Sequence, residues 1–393
     1  MRYKEILGTG ATDKMKPVIS SAWAPYAVEQ AKVVSAITEI QSLVYRLAYR
    51  GDPNRWLSRA EVALFLAQSV AICPAKASSQ LIEHIVEQTC DRIPELPLVS
   101  AFNGQTGQTM MLQLLPSSTA AEERISRTQD HVCRSVQRAV KREEITELDF
   151  INGLVGAGLF LLVQQRCDCR ASVDHILDQL WERGVHQGRF NFRSPEYEGT
   201  DLGIAHGIVA ILQLAAFSLV DAGQAKALRL LTAVVDFLHQ SEQGSETSLF
   251  GYFRGEKKIS RLGWCYGDLS VAASLVVAGK SVGSNNLVDQ GLRIARHAAR
   301  RHASESGIGN SGLCHGSLGV AHCFQRIYTL TGDWECGGAA RFWLAESLDA
   351  HFASEEFAGD LSFLEGRTGQ GLALISSITA EAGWDILLGL SRA

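Results

Sequence analysis

Six glycines, Gly104, Gly153, Gly207, Gly267, Gly316 and Gly366, each open a strongly apolar run, and they stand 49, 54, 60, 49 and 50 residues apart. Three residues after each comes another small residue: Gly107, Gly156, Ala210, Ser270, Gly319 and Gly369. A period near 50 accommodates two helices and two loops, so each unit reads as a helical hairpin that cannot bury its apolar face alone. An open array would leave its terminal units exposed. Closing the array into a ring buries every inner helix, and this spacing predicts an all-α fold, an α/α toroid of about seven hairpins.

The segments between the glycines fit that scheme. Arg124–Arg142 puts Ile125, Val132, Val136 and Val140 on one face, and Ala225–Gln240 does the same with Leu228, Leu231, Val235 and Leu238. Val173–Trp181, Leu287–Arg301 and Ala340–Phe352 continue the alternation. Helices apolar all round belong inside and amphipathic ones outside. Ahead of the first glycine, Val33–Arg50 has helical spacing, Asp52-Pro53 stops it, and Ser58 with Glu61 has the form of a capping box before Val62, Leu64, Phe65 and Val70. Residues 1–32 read as an irregular lead-in, and 33–393 as a single toroid domain without an inserted subdomain. Gly8-Thr9-Gly10 lacks the third glycine and the preceding strand of a nucleotide loop.

Composition excludes several classes of function. A formal net charge of −5 offers no global positive field for nucleic acid or anionic membrane. The nine cysteines are odd in number and widely spread, unlike a secreted disulfide framework. The first twenty residues have no apolar core of a signal peptide, and the longest apolar runs, 153–163 and 207–220, are too short to span a bilayer. The expectation is a cytoplasmic protein with reduced thiols and no integral membrane segment.

Chemistry concentrates just before the repeat glycines. The preceding residues are Asn103, Asn152, His206, Tyr266, His315 and Glu365. In a closed ring these positions share one mouth, and a purely structural repeat has no reason to diversify there. Cys265 precedes Tyr266-Gly267 and Cys314 precedes His315-Gly316, so adjacent inner helices can present two thiolates and an imidazole to one zinc ion with one position free. Helix dipoles and free N–H groups at the helix starts would favour the thiolates. Spacing alone leaves open the alternative of buried small side chains beside a capped histidine. Cys167 and Cys169 read as exposed reduced thiols, Cys323 with His322 as core, and Cys73, Cys90, Cys133 and Cys336 as structural.

The order His206-Gly207, then Trp264-Cys265-Tyr266-Gly267, then Cys314-His315-Gly316 resembles the lanthipeptide cyclases and the lanthionine-synthetase-C-like proteins. The likeness in repeat pattern runs from about residue 33 onward. It implies Zn2+ held by Cys265, Cys314 and His315, His206 as acid–base residue, Arg261 and Tyr266 as active-site residues, and Asp149, in Asp149-Phe150-Ile151-Asn152-Gly153, as an active-site aspartate. By sequence alone Asp149 is an N-cap of the third inner helix. The implied reaction is addition of cysteine thiols to dehydroalanine or dehydrobutyrine in a dehydrated precursor peptide, closing thioether rings, with a dehydratase and an exporter as partners in a biosynthetic complex. The 54 residues between Gly153 and Gly207 leave no room for the small inserted subdomain of some members. Two competing readings share the motifs: a glutathione-adding protein, and a non-catalytic scaffold with structural zinc. The basic helix 124–142 has the charge to take an acidic leader segment, or is a solvated face.

Overall fold

A computed structural model describes residues 27–392 except 51–58, 75–77, 117–120, 187–188, 191, 193–198, 223–224, 245, 352–358 and 380–381. Fourteen α-helices are described, and alternate ones have alternate roles. The outer set is α1 (Ala27–Arg50), α3 (Ser78–Arg92), α5 (Glu122–Lys141), α7 (Arg170–Gly184), α9 (Ala225–Ser241), α11 (Asn285–Ala299) and α13 (Trp334–Glu346). The inner set is α2 (Ala60–Ser69), α4 (Gln105–Gln113), α6 (Leu154–Val163), α8 (Ala210–Ala222), α10 (Gly267–Val282), α12 (Ser317–Thr331) and α14 (Arg367–Thr379). Each inner helix packs on the next, and α14 packs back on α2. Seven hairpins close a double ring, as the period predicts. A two-residue antiparallel ladder, Val185 opposite Phe190, is the one sheet among the described residues.

The repeat glycines have a common physical reason. A Cβ on Gly107, Gly156, Gly319 or Gly369 would come within 2.3, 2.1, 1.9 and 1.8 Å of the carbonyl oxygen six residues earlier. The loops before α4, α6, α12 and α14 therefore lie directly on the first turn of their helix, where only hydrogen fits. That closeness lets loop carbonyls cap the helix: the N–H groups of Leu154, Val155, Gly156, Ile208, Ser317, Gly319 and Arg367 donate to carbonyls seven residues back. At the start of α12, after Cys314 and His315, the N–H groups of Ser317 and Gly319 are thus already bonded to their own loop.

Neighbouring loops are joined to one another. Ala101 N–H donates to Ile151 O (2.7 Å), Ile204 to Cys265 (3.0 Å), Trp264 to Cys314 (2.9 Å) and Leu313 to Leu364 (2.6 Å), while Ile151 donates to Ala205 (3.3 Å). This backbone strap runs through six consecutive repeats and fixes the residues just before the glycines relative to their neighbours. Beneath it, Phe102, Phe150, Trp264 and Phe363 meet at centroid separations of 5.3–6.2 Å. Such ring pairs are worth roughly 0.5–1.5 kcal/mol each beyond area burial. The C-terminal turn Gly383–Leu388 enters the ring centre, where Trp264 Nε1 donates to Leu388 O (2.9 Å) and Trp384 Nε1 to Ser376 Oγ (2.8 Å).

Local boundaries depart from expectation in places. Helix α2 is capped by Arg59 without a side-chain bond, and Glu61 is buried, accepting from Arg59 Nε (2.6 Å) and Gln108 Nε2 (2.9 Å). Ser58 and the Asp52-Pro53 stop lie outside the described residues. Helix α8 starts at Ala210, three residues after Gly207. Helix α13 begins at Trp334, earlier than the apolar pattern suggests, because Asp333 accepts from Cys336 N–H (3.1 Å) and nucleates a helix that runs through Gly337 and Gly338. Cys169 is buried against Cys133, with Sγ atoms 3.4 Å apart, so of the Cys167/Cys169 pair only Cys167 is an exposed thiol.

Candidate metal centre and active site

The loops before α10 and α12 are adjacent in the strap, and they bring Cys265, Cys314 and His315 together. One ligand atom from each lies within 4.8 Å of the other two, which is the geometry of three donors around a common ion. Cys265 is buried, while Cys314 and His315 are half-buried. Hydrogen bonding from Cys314 pushes the Cys265 thiol down to about 5, with further help from His315 and the Arg261 guanidinium. Cys314 is pushed up, because it holds the proton that its partner lacks. Two sulfurs sharing one proton beside a neutral-capable imidazole form a soft donor set, and the residues fit a zinc ion.

Two side chains hold this cluster from outside. Glu365, in the residue position before the last repeat glycine, has Oε1 3.4 Å from His315 Nδ1, and burial raises its carboxyl above the ordinary range. Arg261 lies in the segment leading to Cys265, its backbone N–H donating to Tyr252 Oη (3.0 Å). That segment is anchored by a buried ion pair. Arg301 Nη2 donates to Asp268 Oδ2 (2.7 Å) and Arg301 Nη1 to Ser260 O (2.6 Å), with the two side chains 1% and 0% exposed.

One repeat before Cys265 the mouth changes character. His206 Nδ1 lies 2.6 Å from Asp149 Oδ2, reaching across from the loop of α8 to the loop of α6. Hydrogen bonding to Asp149 raises the His206 pKa above its ordinary value, against the opposing effect of burial. Asp149 Oδ1 accepts from Asn152 N–H (2.7 Å), so the carboxylate both ties its own turn and orients the imidazole. The N-cap of α6 is Gly153 and not Asp149. On the loop of Cys265 stands Tyr266, whose hydroxyl donates to Asp201 Oδ2 (2.7 Å) and whose ring meets Tyr252 edge-on at 5.4 Å.

The chain matches the family described as Lanthionine synthetase C-like protein over residues 59–388. It belongs to that family. Among solved structures, nisin cyclase superposes with a TM-score of 0.75 at 17% identity, covering 90% of this chain and 97% of that one, a likeness of fold. Among curated proteins, Glutathione S-transferase LANCL1 of Danio rerio is 26% identical over 174 residues. That alignment takes in 44% of this chain and 41% of the relative, less than half of its length. No helix among the described residues is long and apolar enough to cross a membrane.

In this member of the family all seven residues singled out from sequence lie on the strap or beside it. Cys265, Cys314 and His315 form one cluster, Asp149 and His206 form a pair, and Tyr266 and Arg261 stand on the segment of Cys265. Sequence reasoning missed Asp201, which is 1% exposed, carries a carboxyl raised by burial and fixes Tyr266 from 65 residues away. No motif marks it. Glu365 carried a signal in its position before Gly366, which was available and not used.

Proposed function

We propose that this protein is a zinc-dependent peptide thioether cyclase. It would add a cysteine thiol across the double bond of dehydroalanine or dehydrobutyrine within one dehydrated peptide. The observation that carries the reading is the three-donor cluster of Cys265, Cys314 and His315 beside the His206–Asp149 pair, on one continuous strap. When bound there, a zinc ion would supply the Lewis acidity that favours the thiolate of an incoming sulfur near neutral pH.

The remaining steps fall to side chains. His206 has Nδ1 engaged by Asp149, which leaves Nε2 to take the thiol proton and return it to the α-carbon after sulfur attacks the β-carbon. Arg261 supplies positive charge for the oxygen of the intervening enolate. Tyr266 serves as a packed wall, since its hydroxyl hydrogen is committed to Asp201. The reaction is an isomerisation, so it is followed by the loss of alkylatable thiols without change in peptide mass. A dehydrated precursor that keeps all its free thiols after incubation with zinc-loaded protein sinks the proposal. His206→Asn that retains zinc and the full rate removes His206 from it.

The named relative supports a second reading within the same chemistry, addition of glutathione to a dehydrated residue. Incubation of a dehydroalanine peptide with glutathione separates the two: adduct formation gains the mass of glutathione, and cyclisation gains nothing. A scaffold with structural zinc requires a fourth protein ligand. The described cluster offers three, so the scaffold reading predicts a metal site with no exchangeable position.

A further inference from the structure

Outer helices α5 and α7 enclose an open groove of about 620 Å3. Arg134, Arg138 and Lys141 line it at positions i, i+4 and i+7 of α5, one helical face about 10 Å long. Their charge is uncompensated in a way that their neighbours' is not. Arg124 pairs with Asp91, Arg127 with Glu123, and Arg142 with Glu144 (3.6 Å). The groove's own carboxylate, Asp168, is already held by Arg166 through both oxygens at 3.0 Å. His175, also on the groove, faces Glu143 at 3.7 Å. Among the described residues, no carboxylate lies within ion-pair distance of Arg134, Arg138 or Lys141. In a chain of net charge −5 this is a local reversal of sign.

Inner helices start at the mouth and outer helices run antiparallel to them, so the groove, which joins the C-terminal half of α5 to Ala171, Ser172 and His175 at the start of α7, lies on the outer wall of the ring. Seven residues separate Lys141, the last cation of the row, from Asp149 in the candidate site, which keeps the two within about 29 Å of each other. The lining combines the cationic heads with Val140, Ala171 and the stem of Gln137, which suits an extended peptide with acidic side chains better than a broad charged surface. A concave slot with three cations is too narrow a field for a duplex or a lipid bilayer.

We propose that the α5–α7 groove binds an acidic stretch of the peptide substrate, outside the residues that react, and so adds affinity for the whole substrate. This rests on the peptide-cyclase reading for the identity of the occupant, and its test is separable from that reading. A fluorescent glutamate-rich peptide without cysteine or dehydrated residues is titrated with the full chain by anisotropy at low salt. Binding is expected, weakening steeply with salt, and falling about tenfold or more in the exposed triple variant Arg134→Glu/Arg138→Glu/Lys141→Glu, if each cation contributes at the exposed-pair level. Circular dichroism of the variant checks that it folds. His206→Asn should bind the tract as wild type does, so failure of cyclisation leaves this measurement standing. With a whole dehydrated precursor, the triple variant should raise KM while kcat holds. Equal affinity of wild type and triple variant for the tract overturns the proposal, as does equal binding of a lysine-rich peptide, or capture by anionic vesicles without capture of the acidic peptide.

Discussion

Replacing Gly319 by alanine tests whether loop and helix are as tightly joined as the metal cluster requires. An alanine Cβ at this position falls 1.9 Å from Leu313 O and 2.6 Å from Leu313 C, both backbone atoms that cannot rotate away. Ordinary carbon–oxygen contact needs about 3.3 Å. The loop or the first turn of α12 must therefore move by more than about 1 Å, whereas metal ligands tolerate roughly 0.2 Å. Leu313 directly precedes Cys314 and His315, so the displacement is delivered to two of the three donors. Glycine to alanine inside a helix is by itself stabilising by about 0.5–1 kcal/mol. Gly338, in α13 with nothing within 4 Å of its added Cβ, provides that control. Gly338→Ala should raise stability in urea titration by that amount, and Gly319→Ala should lower it by about 1–3 kcal/mol, the usual range for overpacking. Zinc bound after equilibration with a competing chromophoric chelator should be normal in the first and reduced in the second. Normal stability and zinc content in Gly319→Ala would refute the claim that loop contact sets the ligand geometry.

Asp149→Asn removes the charge that holds the His206 imidazolium, so the His206 pKa falls and the acidic limb of the pH–rate profile moves to lower pH, because the neutral base is then available at lower pH; an unmoved limb shows that another group titrates. Stripping metal with a chelator should raise the number of thiols reacting with a disulfide reagent by two, from Cys265 and Cys314, and Cys314→Ala should bind less than about one equivalent of zinc. Arg301→Met leaves the buried Asp268 carboxylate without its arginine partner and should cost about 3–5 kcal/mol in chemical denaturation, with part of the loss recovered when Asp268→Asn is added.

What was legible in the sequence is what repeats. The glycine period gave the hairpin count and the ring, since Gly107, Gly156, Gly319 and Gly369 each mark a contact between a loop carbonyl and its own helix, a local requirement that survives in one dimension. The positions before the glycines were legible for the same reason, and with them Cys265, Cys314, His315, His206 and Tyr266. Asp201 was not, because its role depends on a hydroxyl 65 residues away, and nothing in its own segment distinguishes it from a turn aspartate. Asp268 and Arg301 pair between two helices and read separately as an acidic first turn and a basic helix end. Cys133 and Cys169 looked unrelated until helix packing set their sulfurs 3.4 Å apart. The start of α13 was hidden by Gly337 and Gly338, which lower helix propensity where the Asp333 cap overrides it.

The strap explains why one scaffold position can hold such different side chains. At two and three residues before each glycine, backbone groups bond to the neighbouring repeat, so the loop path is set without help from the side chain. The next residue is then free to vary: asparagine at Asn103 and Asn152, histidine at His206 and His315, tyrosine at Tyr266, glutamate at Glu365. Asn103 accepts from Arg59 Nη2 (2.5 Å), a contact that closes the early part of the mouth without titratable chemistry beyond the arginine. From His206 to Glu365 the four successive positions carry a titratable group or stand beside a thiol. The candidate chemistry thus occupies a contiguous arc of a ring whose backbone is nearly uniform. The proposed proton transfer at His206 and sulfur binding near Cys265 would need a fixed separation. Two neighbouring loops tied by the Ile204–Cys265 hydrogen bond at 3.0 Å provide that separation through backbone, which a change of side chain at either position does not disturb.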